Sequence, residues 1–251
     1  MKIKLRKSME ICRELISSLL FPLRCPVCDE ILEPEEKGIH SACESKLYPI
    51  SGAVCMHCGR PFGEEISKEF CFDCIEKGYH LHSYISQAKS LYLYKGAIKP
   101  AIYRLKYSNK QEYASFFAKR AVETYGWWMK GIGVEAIIPV PMYKKKQKKR
   151  GYNQAEIFAK DLSRCINIPV DTGCVSRVLD TVPQKGLSQI QRKINMENAF
   201  QMKANVVQYR CVLIVDDIYT TGNTAEAVAQ QLIKQGIHRV YLLTICTGGD
   251  V

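Results

Sequence analysis

The sequence predicts an α/β protein in which a parallel-sheet domain follows a small cysteine-rich module. Three observations predict it. Seven of the 12 cysteines fall between residues 25 and 74, in regularly spaced pairs. Beyond residue 83, short apolar runs alternate with segments of helical periodicity, the pattern of strands joined by crossover helices. The run "CVLIVDD", residues 211–217, is apolar without alternation, as suits a strand covered on both faces of a parallel sheet.

A chain of 251 residues with 47% hydrophobic content can bury one sizeable core and carry a small module besides. Its formal net charge of +11 favours polyanions: nucleic acid, acidic membrane or phosphorylated small molecules. No run is long and apolar enough to span a bilayer, so no integral membrane segment is expected.

Residues 1–24 place basic residues before apolar ones, as a signal peptide does. Glu10, Cys12, Arg13 and Glu14 interrupt that reading, and no small-residue cleavage site follows. Met9, Ile11, Leu15, Ile16, Leu19 and Leu20 share one helical face instead. The expectation is an amphipathic helix docked on the rest of the protein, with a peripheral membrane contact as the alternative.

Residues 25–80 form the cysteine-rich module. Its pairs are Cys25 with Cys28, His40 with Cys43, Cys55 with Cys58, and Cys71 with Cys74. The first half reads C-x2-C-x11-H-x2-C and the second C-x2-C-x12-C-x2-C, an internal repeat. Each C-x2-C sets two thiolates on one tight turn, and two such turns complete a closed tetrahedral site suited to Zn²⁺. One structural zinc is assigned to Cys25, Cys28, His40 and Cys43, a second to Cys55, Cys58, Cys71 and Cys74. A cross-braced pairing would use the same eight ligands, and His57 competes with His40. No secretory signal accompanies the cysteines, which favours metal over disulfides. Of the other five, several lie in apolar stretches and read as small core residues.

Residues 81–251 form the body. "SLYLYKG" alternates like a strand, residues 97–106 and 112–129 look helical, and "EAIIPVP" is a short buried strand stopped by Pro139 and Pro141. "KKKQKKR", residues 144–150, packs six basic residues into a stretch read as a loop. Residues 153–166 show an apolar helical face, "GCVSRVL" reads as a strand, and 180–198 as a polar loop. A helix over 224–235 and the strand "RVYLLTIC" complete the body.

"VLIVDDIYTTGNT", residues 212–224, carries the chemistry. A buried strand ends in two adjacent carboxylates, Asp216 and Asp217, and runs into a small polar turn that opens a helix. Ligands of open α/β sheets bind beyond the carboxyl ends of strands. Backbone N–H groups and hydroxyls of such a turn can wrap a phosphate at the positive end of the helix. Carboxylates beside that cradle can hold sugar hydroxyls or Mg²⁺. Together they suit a ribose 5-phosphate. Helix capping by Thr220 or Thr221 is the plainer reading, and it accounts for one residue of the set.

At these residues the chain resembles a known family. "VLIVDDIYTTGNT" resembles the phosphoribosyl diphosphate (PRPP) motif of type I phosphoribosyltransferases. "PVPMYKKKQKKRGYNQAEIFA", "PQKGLSQIQRKINMENAF" and the cysteine knuckles are similar to the ComF competence branch of that superfamily, and the blocks occur in family order. The resemblance implies a type I phosphoribosyltransferase-like fold behind a zinc module. It implies that Asp216 and Asp217 serve the reacting ribose, directly or through Mg²⁺, and that Thr220, Thr221, Gly222, Asn223 and Thr224 bind the 5-phosphate. The diphosphate side, with DNA, falls to Lys144, Lys145, Lys146, Lys148, Lys149 and Arg150. A mobile loop carries Gln184, Arg192 and Asn195. His40 departs from a usual cysteine, Asn223 from a small residue and Tyr152 from a phenylalanine.

Two functions follow. One is a cytoplasmic protein that binds PRPP and handles single-stranded DNA in natural competence, alongside other competence or recombination proteins. The other is a working transferase that displaces diphosphate from PRPP with a nucleobase or amine acceptor. The basic run and the zinc knuckles favour the first. Tyr143 and Tyr152 lie near the basic run, where they could stack on bases, though packing suits Tyr152 better.

Overall fold

The structure, a computed structural model, describes residues 22–62, 69–180, 199–203 and 208–248. The helix expected over 1–24 lies outside the described residues except for 22–24, where Arg24 already pairs with Ile31. Gln184, Arg192 and Asn195 lie outside them as well.

Two ribbons of the same design come first. In each, the chain turns tightly at a C-x2-C. Asp29 N–H donates to Cys25 O, and Gly59 N–H donates to Cys55 O, both at 2.9 Å. Each ribbon then returns through a short helix that starts directly after a ligand: α1 (Ser41–Glu44) after His40 and α2 (Phe72–Glu76) after Cys71. That single turn of helix brings Cys43 under His40 and Cys74 under Cys71. Neither helix shows a periodic face long enough to be read from sequence.

The body follows as β1 (Gln87–Leu93), α3 (Ile98–Tyr107), α4 (Tyr113–Gly131), β2 (Ala136–Pro139), α5 (Lys144–Arg150) and α6 (Gln154–Ile166). Then come β3 (Val175–Arg177), β4 (Phe200–Met202), β5 (Cys211–Tyr219), α7 (Asn223–Lys234) and β6 (Arg239–Thr247). Four strands form one parallel sheet in the order β1-β6-β5-β2. The helices and sheet strands expected in the body are present. Two readings need correction. "GCVSRVL" supplies β3, which leaves the parallel sheet and pairs antiparallel with β4. The outer edge of β2 is already taken by residues 169–171, through Ile137 N–H to Pro169 O and Asp171 N–H to Ile137 O. "KKKQKKR" is the helix α5, closed by a left-handed Gly151, and not a loop.

The sheet is covered on both sides. On one face, α3, α4 and α6 pack Leu105, Phe117, Phe158 and Leu162 onto Leu213, Val215, Leu243 and Ile245. On the other, α7 and the β3–β4 pair pack Val228, Leu232 and Phe200 onto Val212, Ile214 and Leu242. The two ribbons divide between these cores. Cys25, Val27, Ile39 and Leu47 of the first join the α3–α4–α6 side. Cys55, Cys58 and Cys74 of the second join the α7 side. The chain between the ribbons lies along the free edge of β1, where Ile50 N–H donates to Leu91 O and Leu93 N–H to Tyr48 O, and the second ribbon continues it by accepting the Ala88 N–H at His57 O. An open edge strand invites pairing with another chain, and this wrap removes it. Cys174, Cys211 and Cys246 are buried as expected, whereas Cys165 is exposed. Among the described residues, no helix is long and apolar enough to cross a membrane.

The docking of the second ribbon explains one glycine. Asp29 and Gly59 occupy equivalent places in the two turns, with φ of 69° and 70°. Asp29 has room, and its carboxylate accepts from Tyr113 Oη. At Gly59 a Cβ would stand 2.5 Å from the backbone oxygen of Ala88 in β1. Gly59→Ala should therefore lower unfolding stability by about 1–3 kcal/mol, since backbone cannot yield as a side chain does. Denaturant titration checks this, and an unchanged midpoint would contradict the docking described.

Candidate functional site

The site grows from the end of β5. Side chains alternate along a strand, so Val212 and Ile214 face α7 while Leu213 and Val215 face α3 and α6. The two acids continue that alternation. The adjacent acids are tolerated here because Lys106 balances Asp217 while burial and its neighbour raise Asp216.

Asp216 faces α7 and lines an open cleft. Ile218, Tyr219, Thr220, Thr221, Gly222, Asn223, Thr224, Ala225, Leu242 and Thr244 complete the lining. All five turn residues expected at a phosphate are thus gathered around one of the two acids. Burial, and then the Asp217 charge beside it, push the Asp216 carboxyl well above the usual range. Asp217 is not among the lining residues. It forms a buried ion pair with Lys106 of α3, and Gln154 Nε2 donates to its Oδ1 at 3.3 Å. Burial raises this carboxyl, but Lys106, together with the carboxyl's hydrogen bonds to Asp216 and Gln154, holds it below the usual range. Lys106 is raised in turn, as Asp217 overcomes its desolvation.

The helix α7 is capped by Gly222, with φ +81° and no side-chain cap bond, so neither Thr220 nor Thr221 serves as a cap. A Cβ at Gly222 would stand 2.5 Å from Tyr219 Oη, which leaves glycine as the residue that closes this turn.

The second ribbon packs against the turn from outside. Arg60 pairs with Asp73 within the ribbon and donates through Nη2 to the carbonyl of Thr220. Its guanidinium also lies 5.5 Å from the centre of the Tyr219 ring. Lys77 Nζ donates to Thr221 O and Tyr79 Oη to Asn223 Oδ1, each at 3.2 Å. Just beyond the ribbon, Ser83 Oγ and the Tyr84 N–H donate to the carboxylate of Glu226 in α7. None of these residues carries a signal in the sequence, because their partners lie far along the chain.

The cysteine clusters resolve the pairing. Cys25, Cys28, His40 and Cys43 gather in one group and Cys55, Cys58, Cys71 and Cys74 in another, ligand atoms within 4.8 Å of each other. The arrangement is sequential, not cross-braced. His40 Nδ1 lies 3.2 Å from Cys28 Sγ, while its Nε2 meets the carbonyl of Ile31 at 3.1 Å. With Nε2–H donated there, Nδ1 keeps its lone pair for a metal, the arrangement usual for a ligating histidine. His57 stands beside the second group, Nδ1 3.4 Å from Cys74 Sγ and Nε2 2.8 Å from Ser83 Oγ. The Cys71 N–H donates to Cys55 Sγ at 3.3 Å, as expected toward a thiolate. Donors of this kind and number fit Zn²⁺ and leave no open position.

The basic helix α5 does not line the cleft, but it lies close to it. Val140, which leads toward α5, donates its N–H to Val215 O in β5, next to Asp216. Arg150 Nη1 donates to Gln154 Oε1 at 2.5 Å, and Gln154 reaches Asp217. Lys146 pairs with Asp180 at 2.7 Å. Tyr152 is buried with its hydroxyl donated to Leu105 O, the packing role expected of it. Tyr143 is half-buried.

Residues 16–75 match the double zinc ribbon domain family. DNA utilization protein YhgH of Escherichia coli (strain K12) is 30% identical over 231 residues, 91% of this chain and 98% of that protein. Competence protein F of Haemophilus influenzae is 31% identical over 235 residues, 88% of this chain and 95% of that one. Competence protein ComFC of Bacillus subtilis is 28% identical over 208 residues, 82% of each chain. Among solved structures, adenine phosphoribosyltransferase of Saccharomyces cerevisiae aligns with a TM-score of 0.37 at 15% identity, over 71% of this chain and 89% of that one. Purine phosphoribosyltransferase of Pyrococcus horikoshii aligns at 0.32 and 16%, over 52% and 81%.

The Lys106–Asp217 pair can be tested alone. Lys106→Met strands a buried carboxylate and should cost about 3–5 kcal/mol, while adding Asp217→Asn should restore most of it. Two losses that simply add, in a denaturant-unfolding double-mutant cycle, would contradict the pairing.

Proposed function

We propose that this chain, which belongs to the family of competence protein F and DNA utilization protein YhgH, binds PRPP with Mg²⁺ in the β5–α7 cleft and handles single-stranded DNA. The observation that carries the cleft reading is the meeting of one carboxylate, Asp216, with a turn of small polar residues whose threonine hydroxyls are not used as caps. Amides and hydroxyls of Thr220 to Thr224 suit the 5-phosphate at the positive end of a twelve-residue helix. Asp216 suits ribose hydroxyls or Mg²⁺, whose charge would offset the diphosphate. Asp217 acts one step back: paired with Lys106, it fixes the strand end from the opposite face. The +11 charge and the basic α5 support an electrostatic hold on nucleic acid. Both metal clusters are closed sets of four ligands, so zinc in them is structural.

Metal analysis of protein purified without added zinc should return two Zn²⁺ per chain, and one each from Cys25→Ser and Cys55→Ser. One or none in folded wild type would overturn the assignment.

PRPP with Mg²⁺ at about a hundred times its Kd should raise the melting temperature by roughly 5–10 °C, through mass action on the folded state. Asp216→Asn should remove most of that shift while leaving the unliganded melting temperature near wild type or above it, since a buried carboxylate is neutralised. A full shift in this variant would place the ligand elsewhere.

A further inference from the structure

The helix α3 buries Ile98, Ala101, Ile102 and Leu105 and turns Tyr103 and Tyr107 outward. These tyrosines stand four residues apart on one face, 60% and 62% exposed, with ring centres 5.0 Å apart. Isolated exposed rings are ordinary on a protein surface. Here the pair is continued by a cation: the guanidinium of Arg150, at the end of α5, lies 4.8 Å from the centre of the Tyr107 ring. The five lysines of the same helix are exposed, and Lys144, Lys145, Lys148 and Lys149 stand outside the Lys146–Asp180 pair. Folding has no use for this combination, since none of these groups contributes to either core.

We infer that Tyr103, Tyr107 and Arg150 form a stacking platform for the bases of single-stranded DNA, with the lysines of α5 tracking its phosphates. The inference rests on the DNA-handling function proposed above and gives it a place. Aromatic faces beside a basic groove are the general means of holding single strands, because every unpaired base offers a π-face. A duplex hides those faces within its own stack, so the platform selects single strands. It also lies against the strand that carries the cleft's acid, on the opposite face. Arg150 contacts Gln154, Gln154 contacts Asp217, and Asp217 is paired with Lys106, the neighbour of Tyr107 in sequence. A strand lying on the tyrosines therefore meets β5 from the face opposite the cleft.

Stacking and ion pairing separate by salt. Neutralised phosphates set the slope of log affinity against log salt, whereas a stacked base changes affinity at every salt concentration alike. The experiment is fluorescence anisotropy of a labelled single-stranded oligonucleotide and a hairpin duplex, titrated at several salt concentrations with the full chain. Tyr103→Ala with Tyr107→Ala should weaken single-strand binding by about tenfold with an unchanged salt slope. Tyr103→Phe with Tyr107→Phe should stay near wild type, because the ring face carries the contact. Replacing the four lysines by alanine should lower the slope by about 0.7 for each phosphate that is no longer neutralised. Undiminished affinity in the folded double alanine variant would overturn the platform while leaving DNA binding intact. An equal loss in the phenylalanine variant would also overturn it, by showing a hydroxyl contact. Absence of binding by wild type at low salt would overturn the DNA reading itself, and the platform with it.

Discussion

The guanidinium of Arg60 joins the two halves of the molecule at the place that matters most. One edge pairs with Asp73 inside the second ribbon, and another donates to the carbonyl of Thr220 in the turn after β5. A turn of small polar residues has little packing of its own to fix it. This one borrows rigidity from outside: Lys77 and Tyr79 hold Thr221 and Asn223, and Ser83 and Tyr84 hold Glu226 in the first turn of α7. The shape of Arg60's neighbourhood depends in turn on Cys55, Cys58, Cys71 and Cys74 meeting at one point. The metal cluster therefore serves the cleft without touching it, in the way that outer groups orient a binding site.

The ribbons do more than decorate the sheet. They straddle its β1 edge, the first ribbon filling one core and the second the other, while the chain between them hydrogen-bonds along the strand. Gly59 marks how close that approach is. The same wrap explains how a cysteine-rich module too small to bury much surface by itself acquires a core: it shares the body's.

What was legible in the sequence had a local signature. β5 showed itself by an apolar run without alternation, and its turn by composition. The eight metal ligands showed themselves by spacing. Their sequential pairing did not, because both pairings use the same residues. The opposite facing of Asp216 and Asp217 follows from the period of two once the strand is granted. Lys106 and Arg60 had no comparable signal, since Arg60 meets Thr220 across 160 residues. The β3–β4 pair was hidden for a different reason: strands of three residues are too short to show a period. The helix α5 lacks an apolar face, so periodicity was silent, yet basic residues followed by Gly151 are a helix-end signal that was available.

Hydrogen exchange at the turn tests the central claim, that the second ribbon holds the turn after β5 in shape. The comparison is wild type against Arg60→Ala with Lys77→Ala, both loaded with zinc. Amides of residues 220–226 should exchange about tenfold faster or more in the variant, while those of residues 212–215 in the sheet keep their protection. Equal protection of the turn in the two proteins would show that it stands without the ribbon and would contradict the account.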